Sequence, residues 1–145
     1  MIGLLQRVSE ASVTVDGTVI GNIGRGLLVL VAVHRDDGDA DVLRLAERLL
    51  TYRVFPDGAD RMNRSLLDTG LELMLVPQFT LAADTTKGTR ASFTRAADPD
   101  KGAAFFEQLV SICEQRLERV ATGRFGANMQ VRLTNDGPVT FWLES

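Results

Sequence analysis

Gln78 and Thr80 carry the polar groups of Val76-Pro77-Gln78-Phe79-Thr80-Leu81, a run that is otherwise apolar. In an extended chain alternate side chains share a face, so the Gln78 carboxamide and the Thr80 hydroxyl would point the same way. Such a face is either the polar wall of a pocket, with Phe79 packed behind it, or an ordinary exposed strand face. A pocket wall of this kind offers N–H donors to a developing oxyanion and, in Thr80, a candidate hydroxyl nucleophile. No base adjoins Thr80 in the sequence, so an orienting role is favoured over a nucleophilic one.

The second segment with chemical character is Asn135-Asp136-Gly137-Pro138-Val139-Thr140. Gly137 has no side chain, and Pro138 has a locked φ and no N–H. Between two β-rich stretches this pair reads as a stiff turn presenting bare backbone carbonyls, and the residues alone describe an ordinary turn equally well. A Gly-Pro bond is also open to the cis form, which the sequence does not decide.

Conventional catalytic sets are missing. His34 is the only histidine, and it adjoins acidic loop residues rather than a serine or cysteine partner. No Cys/His cluster has zinc spacing, and Asp36-Asp37-Gly38-Asp39 lacks the terminal Glu of a calcium loop, so it reads as a solvated helix entry. Gly21 to Gly26 has neither the Lys-Ser/Thr ending of a phosphate loop nor dinucleotide spacing. The expectation is no metal, no cofactor and no histidine-based triad.

The elements that must position these residues follow from periodicity. Leu4–Glu10 and Val13–Ile20 read as strands, the second bent at the hairpin signal Asp16-Gly17. The unbroken apolar run Leu27–Val33 suits a strand buried on both faces. Asp39 is a plausible N-cap for an amphipathic helix running to about Tyr52, and Val54-Phe55 a short strand ended by Pro56-Asp57-Gly58. Leu71–Leu81 is a strand region interrupted by Pro77, which implies an edge, a bulge or the strand's end. Ala82–Asp98, with Lys87, Arg90 and Arg95, is a long loop of the kind that tends to be functional or disordered. Asp98-Pro99 opens a second helix whose apolar face runs to Val120. Met129–Leu133 and Val139–Leu143 complete the strands. The expected architecture is α/β: a single domain over residues 1–145, a mixed sheet covered by two main helices.

With 145 residues, 45% hydrophobic and 24% charged, the chain has the composition of a soluble globular domain. No apolar stretch approaches the ~20 residues of a membrane span, and the amino end is not a signal peptide. Cys113 is the only cysteine, which suits a reducing cytoplasm. A net charge of −3 argues against broad binding to nucleic-acid duplex and leaves room for a local basic patch.

Val76 to Leu81, Ala83-Asp84-Thr85 with Lys87-Gly88, Thr122-Gly123-Arg124-Phe125-Gly126-Ala127 with Met129-Gln130-Val131, and Asn135 to Thr140 together resemble the D-aminoacyl-tRNA deacylase (D-tyrosyl-tRNA deacylase) family. Gln6-Arg7-Val8, Ala11-Ser12-Val13-Thr14-Val15 and Met62-Asn63 before Ser65-Leu66-Leu67-Asp68 agree with it, in the same order end to end. The resemblance implies that family's barrel-like fold and a homodimer that hydrolyses the ester of D-aminoacyl-tRNA at the 3′-terminal adenosine. It also implies activity on glycyl-tRNA, including glycine mischarged on tRNA-Ala. It implies a cis Gly137-Pro138 pair that reaches across the dimer, as a gate against L residues, into a site built on Gln78, Phe79 and Thr80. Arg7 would orient that dipeptide and Met129 would line the pocket. Lys87, Arg90 and Arg95, with Arg124 a weaker candidate, would meet tRNA phosphates.

The chain departs from the family in three places. Pro77 stands where Ser is common, so no hydroxyl is available there, and the Gln78 and Phe79 amides remain as donors. Asn128 and Ala91 replace a common Asp and a common Pro. Because an aminoacyl ester is already activated, positioning and oxyanion stabilisation could suffice, with water attacking and the substrate's ribose hydroxyl assisting. Two other readings fit the same residues: an interaction module without activity, and a Thr80-dependent hydrolase of another small ester.

Overall fold

The computed structural model describes residues 1–145. Its first strand, β1 (Ile2–Val15), is a single element rather than the two strands expected. Leu5 faces one core, whereas Val8, Ala11, Val13 and Val15 face another. That change of face coincides with register shifts around Val8, where bulges interrupt strict alternation. Asp16 and Gly17, both with positive φ, turn β1 into β2 (Thr18–Ile23), so the hairpin lies where the Asp-Gly signal put it.

Next comes β3 (Gly26–Ala32), followed by α1 (Asp39–Thr51). The N-cap of α1 is Gly38, not Asp39. The carboxylate of Asp41, three residues on, accepts from the Gly38 N–H at 2.9 Å. Nor is the acidic entry simply solvated. Asp37, with a side chain only 10% exposed, accepts from the Met1 ammonium at 2.8 Å and from the His34 N–H at 2.6 Å.

β4 (Phe55–Pro56) and β5 (Met62–Arg64) form a small hairpin, and α2 (Leu66–Thr69) is a single turn capped by Ser65. β6 (Glu72–Pro77) leads into a 3-10 turn, Phe79–Ala82. α3 (Pro99–Glu114) starts at the expected Asp98 cap, whose side chain accepts from Lys101 N–H. It stops short of Val120, which belongs to β7 (Val120–Thr122). The last strand, β8 (Gln130–Glu144), runs through the Gly-Pro pair without reversing.

β1 holds the sheet together. It pairs antiparallel with β3 over Ile2–Val8, with β2 over Ala11–Val15, and with β8 along its other edge. β3, β6 and β7 are mutually parallel neighbours, and β2 folds over onto β6 and β7, which gives the sheet its barrel-like curl. Alternation in β3 sends Leu27, Val29 and Val31 toward α1 and α3, and Leu28 toward the inside of the curl with Met74 and Val76. The Leu27–Val33 run is therefore buried on both faces, as its lack of alternation predicts.

Candidate active site

Pro77 ends β6, and the chain then tightens instead of continuing as a strand. The Gln78 N–H makes a last sheet-like bond to the Val31 carbonyl at 2.7 Å, after which Phe79–Ala82 coil into the 3-10 turn. Three expectations change as a result. Gln78 and Thr80 do not share a strand face; they meet because the Gln78 side chain donates from Nε2 to Thr80 Oγ1 at 2.5 Å. Phe79 is not packed behind them but is 55% exposed, its ring 5.1 Å from that of Phe93. The Gln78 amide is already engaged, which leaves Phe79 and Thr80, whose N–H groups have no acceptor within the turn, as the backbone donors here.

Beside this turn lies a cavity of about 440 Å³. Gln78, Phe79 and Met129 line it, together with Pro77, Phe125 and Val131 among others. Thr80 is exposed and does not line it. The cavity wall depends on Gly123. A Cβ there would come within 2.8 Å of Met129 Sδ and 3.2 Å of Pro77 Cδ. Phe125 seats its ring against Gly102 of α3 in the same way, where a Cβ would lie 3.1 Å from the ring. Sequence reading assigned no role to Phe125, because its flanking glycines look like turn residues.

Gly137 and Pro138 are exposed, and neither lines this cavity within the chain. They are not a turn between strands but a bulge within β8. Between the pairs Gln6↔Thr140 and Val8↔Asn135, β1 advances two residues while β8 advances five; Asp136–Pro138 arch outward and Val139 returns to the core. Asn135 closes the base of the arch. Its Oδ1 accepts from the Val139 N–H at 3.1 Å, and its Nδ2 donates to the Val139 carbonyl at 2.9 Å. The Gly137-Pro138 bond is cis. A Cβ on Gly137 would sit 2.0 Å from the Val139 nitrogen and 2.7 Å from Asn135 Oδ1, so only glycine fits. Arg7, its side chain 15% exposed, donates from Nε to the Asp136 carbonyl at 2.8 Å and from Nη1 to the Val54 carbonyl at 2.6 Å.

Lys87, Arg90 and Arg95 are exposed on the segment between the 3-10 turn and α3. That segment is less irregular than expected, because Asp84 and Ser92 pair through both backbone bonds, at 2.8 and 3.0 Å. Hydrogen bonds from the Thr86 amide and hydroxyl hold the Asp84 carboxyl below its ordinary range, and Arg95 adds to the effect. Elsewhere, burial pushes the Cys113 thiol up to about 12, so it carries no thiolate at neutral pH. No three His, Cys, Asp or Glu side chains converge on a point, and no helix is long and apolar enough to cross a membrane. The site can supply backbone and carboxamide donors, a hydroxyl and shape.

Comparison with known proteins gives the same pattern a family. The model described as D-Tyr-tRNA(Tyr) deacylase matches residues 4–144. The D-aminoacyl-tRNA deacylase of Alkalilimnicola ehrlichii is 61% identical over 145 residues, 100% of this chain and 97% of that protein. The one from Methylococcus capsulatus is 62% identical over 143 residues, 99% of this chain and 94% of that protein. Among solved structures, one described as c-Myc DNA Unwinding Element Binding Protein superposes with a TM-score of 0.95 at 36% identity, covering 100% of this chain and 99% of its own. Another, of a probable eukaryotic D-amino acid tRNA deacylase, shares the fold with a TM-score of 0.87 at 19% identity, covering 99% and 98%. The chain belongs to the D-aminoacyl-tRNA deacylase family of hydrolases.

Proposed function

We propose that this protein cleaves the ester joining a D-amino acid, or glycine, to the 3′-terminal adenosine of tRNA, glycine mischarged on tRNA-Ala included. It does so as a cytoplasmic homodimer in which the Gly137-Pro138 arch of one subunit completes the cavity of the other. The observation that carries this reading is the mismatch within one chain. An arch fixed at its base by Asn135 and at its flank by Arg7 is exposed to solvent and lines no part of the cavity holding Gln78, Phe79 and Met129. A second copy supplies what the arch lacks. The outer edge of β8, with Trp142 half exposed, has no strand partner, which leaves a surface open for that copy.

The chemistry needs no side-chain nucleophile. Water adds to the ester carbonyl carbon, and negative charge develops on the carbonyl oxygen. On this reading the Phe79 amide, which has no acceptor within the turn, stabilises it, a donor of the kind worth ~2.7–4 kcal/mol. Collapse breaks the bond to the ribose oxygen, which takes a proton and leaves; the products are tRNA and the free amino acid. The neighbouring ribose hydroxyl assists the proton transfer. The Gln78–Thr80 bond orients the carboxamide, and Thr80 acts through it. Main-chain carbonyls of an arch that cannot yield clash with an L side chain, while D side chains project elsewhere and glycine has none. Selectivity of this sort comes from repulsion of the wrong substrate.

The test is release of amino acid from matched D-, L- and glycyl-tRNA, with the solution mass measured in parallel. Release from the D and glycyl forms by a dimer is expected. A strictly monomeric enzyme would sink the shared site, and tRNA binding without release would sink hydrolysis. Pro138→Ala should raise the rate on L-aminoacyl-tRNA; full discrimination in that variant would remove the arch from the account.

A further inference from the structure

Phe79 and Phe93 form an exposed aromatic pair at the rim of the cavity, and the hydrolysis mechanism uses only the backbone of the first. Their ring centroids are 5.1 Å apart at an interplanar angle of 49°. Phe79 is 55% and Phe93 44% exposed. Single exposed apolar side chains are common, but two adjacent half-bare phenyl rings in an acidic protein form a platform. Phe79 lines the cavity and Phe93 does not, so the pair leads outward from it.

The neighbouring feature along the chain is charge. The paired backbones of Asp84 and Ser92 close a hairpin tip over residues 85–91, and Phe93 follows directly after the closing pair. Lys87 and Arg90 stand on that tip. The chain's ion pairs involve Asp37, Asp136, Glu47 and Glu72, and neither tip cation takes part in one. The far side of the loop is pinned. Arg35 donates from its backbone N–H to the Arg95 carbonyl at 2.9 Å and from Nη1 to the Thr94 carbonyl at 3.1 Å. The segment around Phe93 is therefore tied to the body of the protein at both ends. Aromatic faces followed by unpaired cations suit single-stranded nucleic acid, in which bases stack on rings and phosphates meet Lys and Arg.

We infer that Phe93 is a stacking platform for the base of the nucleotide preceding the terminal adenosine, with Lys87 and Arg90 receiving the phosphates of the unpaired 3′ strand as it leaves the cavity. This rests on the deacylase reading and extends it. It gives the RNA a direction, from the ester in the cavity across Phe79 and Phe93 to the hairpin tip. It also reconciles a net charge of −3 with an RNA substrate, because only a short unpaired strand is gripped and no duplex face is needed.

The test is a cycle that removes the ring and the base in turn. D-aminoacyl-tRNA, intact or abasic at the nucleotide before the terminal adenosine, is presented to the wild type, Phe93→Ala and Phe93→Tyr. Loss of the base should lower wild-type kcat/KM about tenfold, as should loss of the ring on the intact substrate. Loss of both should cost little more than either alone, and tyrosine should restore the sensitivity to the base. Additive losses, or a Phe93→Ala variant as active as wild type on the intact substrate, would overturn the inference. So would a Phe93→Ala protein that no longer dimerises, since the ring would then be covered by the partner subunit. A wild type inactive on the intact substrate would fail the deacylase reading itself, and this one with it.

Discussion

The guanidinium of Arg7 bridges two carbonyls far apart in sequence, Asp136 in the arch at 2.8 Å and Val54 before β4 at 2.6 Å. It thereby ties the projecting arch to the body of the domain. Lysine keeps the charge at this position but not the fork. Arg7→Lys should retain the fold, lose about 1–3 kcal/mol through the carbonyl left unpaired, and relax discrimination against L-aminoacyl-tRNA. Thermal unfolding and the ratio of L to D turnover read the two effects separately. A variant with lowered stability but unaltered selectivity would show that Arg7 does not position the arch.

Gln78 and Thr80 are coupled by their side-chain bond. If Thr80 orients the carboxamide and is not the nucleophile, Thr80→Ala should lower kcat by about tenfold at most, and Gln78→Ala by a comparable amount. The double variant should then cost little more than either single one, since neighbours sharing one interaction are not additive. Single-turnover rates on D-aminoacyl-tRNA make the measurement. Complete loss in Thr80→Ala alone, with the fold intact, would instead identify the hydroxyl as the attacking group.

Gly123 lies against Met129 and Pro77 with no room for a methyl group. Gly123→Ala should push Met129 into the cavity, cost about 1–3 kcal/mol through overpacking, and raise KM most for the bulkiest D side chains. A comparison of D-alanyl with D-tyrosyl substrates isolates the steric part; equal effects on both would place the change outside the amino-acid subsite.

Acid should weaken the fold through a group of hydrogen-bonded aspartates. Backbone and side-chain donors hold Asp41, Asp57, Asp68 and Asp84 below their ordinary 3.8. Between those lowered folded values and the ordinary 3.8 the unfolded chain binds more protons than the folded one, so stability rises with pH there. The contribution is complete above the ordinary carboxylate range and is lost as pH falls through the lower folded values. Urea midpoints should therefore hold level from pH 7 to about 5 and decline below about 4. A midpoint unchanged at pH 3 would contradict the assigned bonds.

Strand β3, both main helices and the family signatures were legible because each rests on local chemistry, whereas β1 and β8 were each read as two strands. Asp98-Pro99 supplies a side-chain cap and a preset first-turn φ, and Leu27–Val33 has no polar face to expose. The turn at Phe79–Ala82 was less legible, because Gln78 and Thr80 alternate with apolar residues as strand residues would, and nothing local says that the strand ends before them. What separates the cases is the Val31 carbonyl, a partner 47 residues away that takes the Gln78 amide and lets the ladder end at Pro77. The arch was hidden for a related reason. Glycine and proline announce a turn, but whether the chain reverses depends on which strand the flanks pair with, and both flanks pair with β1. Phe93 looked like one residue of a polar loop until the Asp84–Ser92 pairing brought it beside Phe79.

Asn135 gives the arch one more property. Its carboxamide substitutes for a missing peptide group, bonding both the N–H and the C=O of Val139, so the ladder is sealed beneath the excursion. The three residues above that seal, Asp136 to Pro138, form a cassette plugged into a continuous strand. The seal itself fixes one member of the cassette, Gly137, since a Cβ there would strike the Val139 nitrogen and Asn135 Oδ1. If the arch is the gate proposed above, its selectivity is free to diverge around that fixed glycine while the scaffold stays the same.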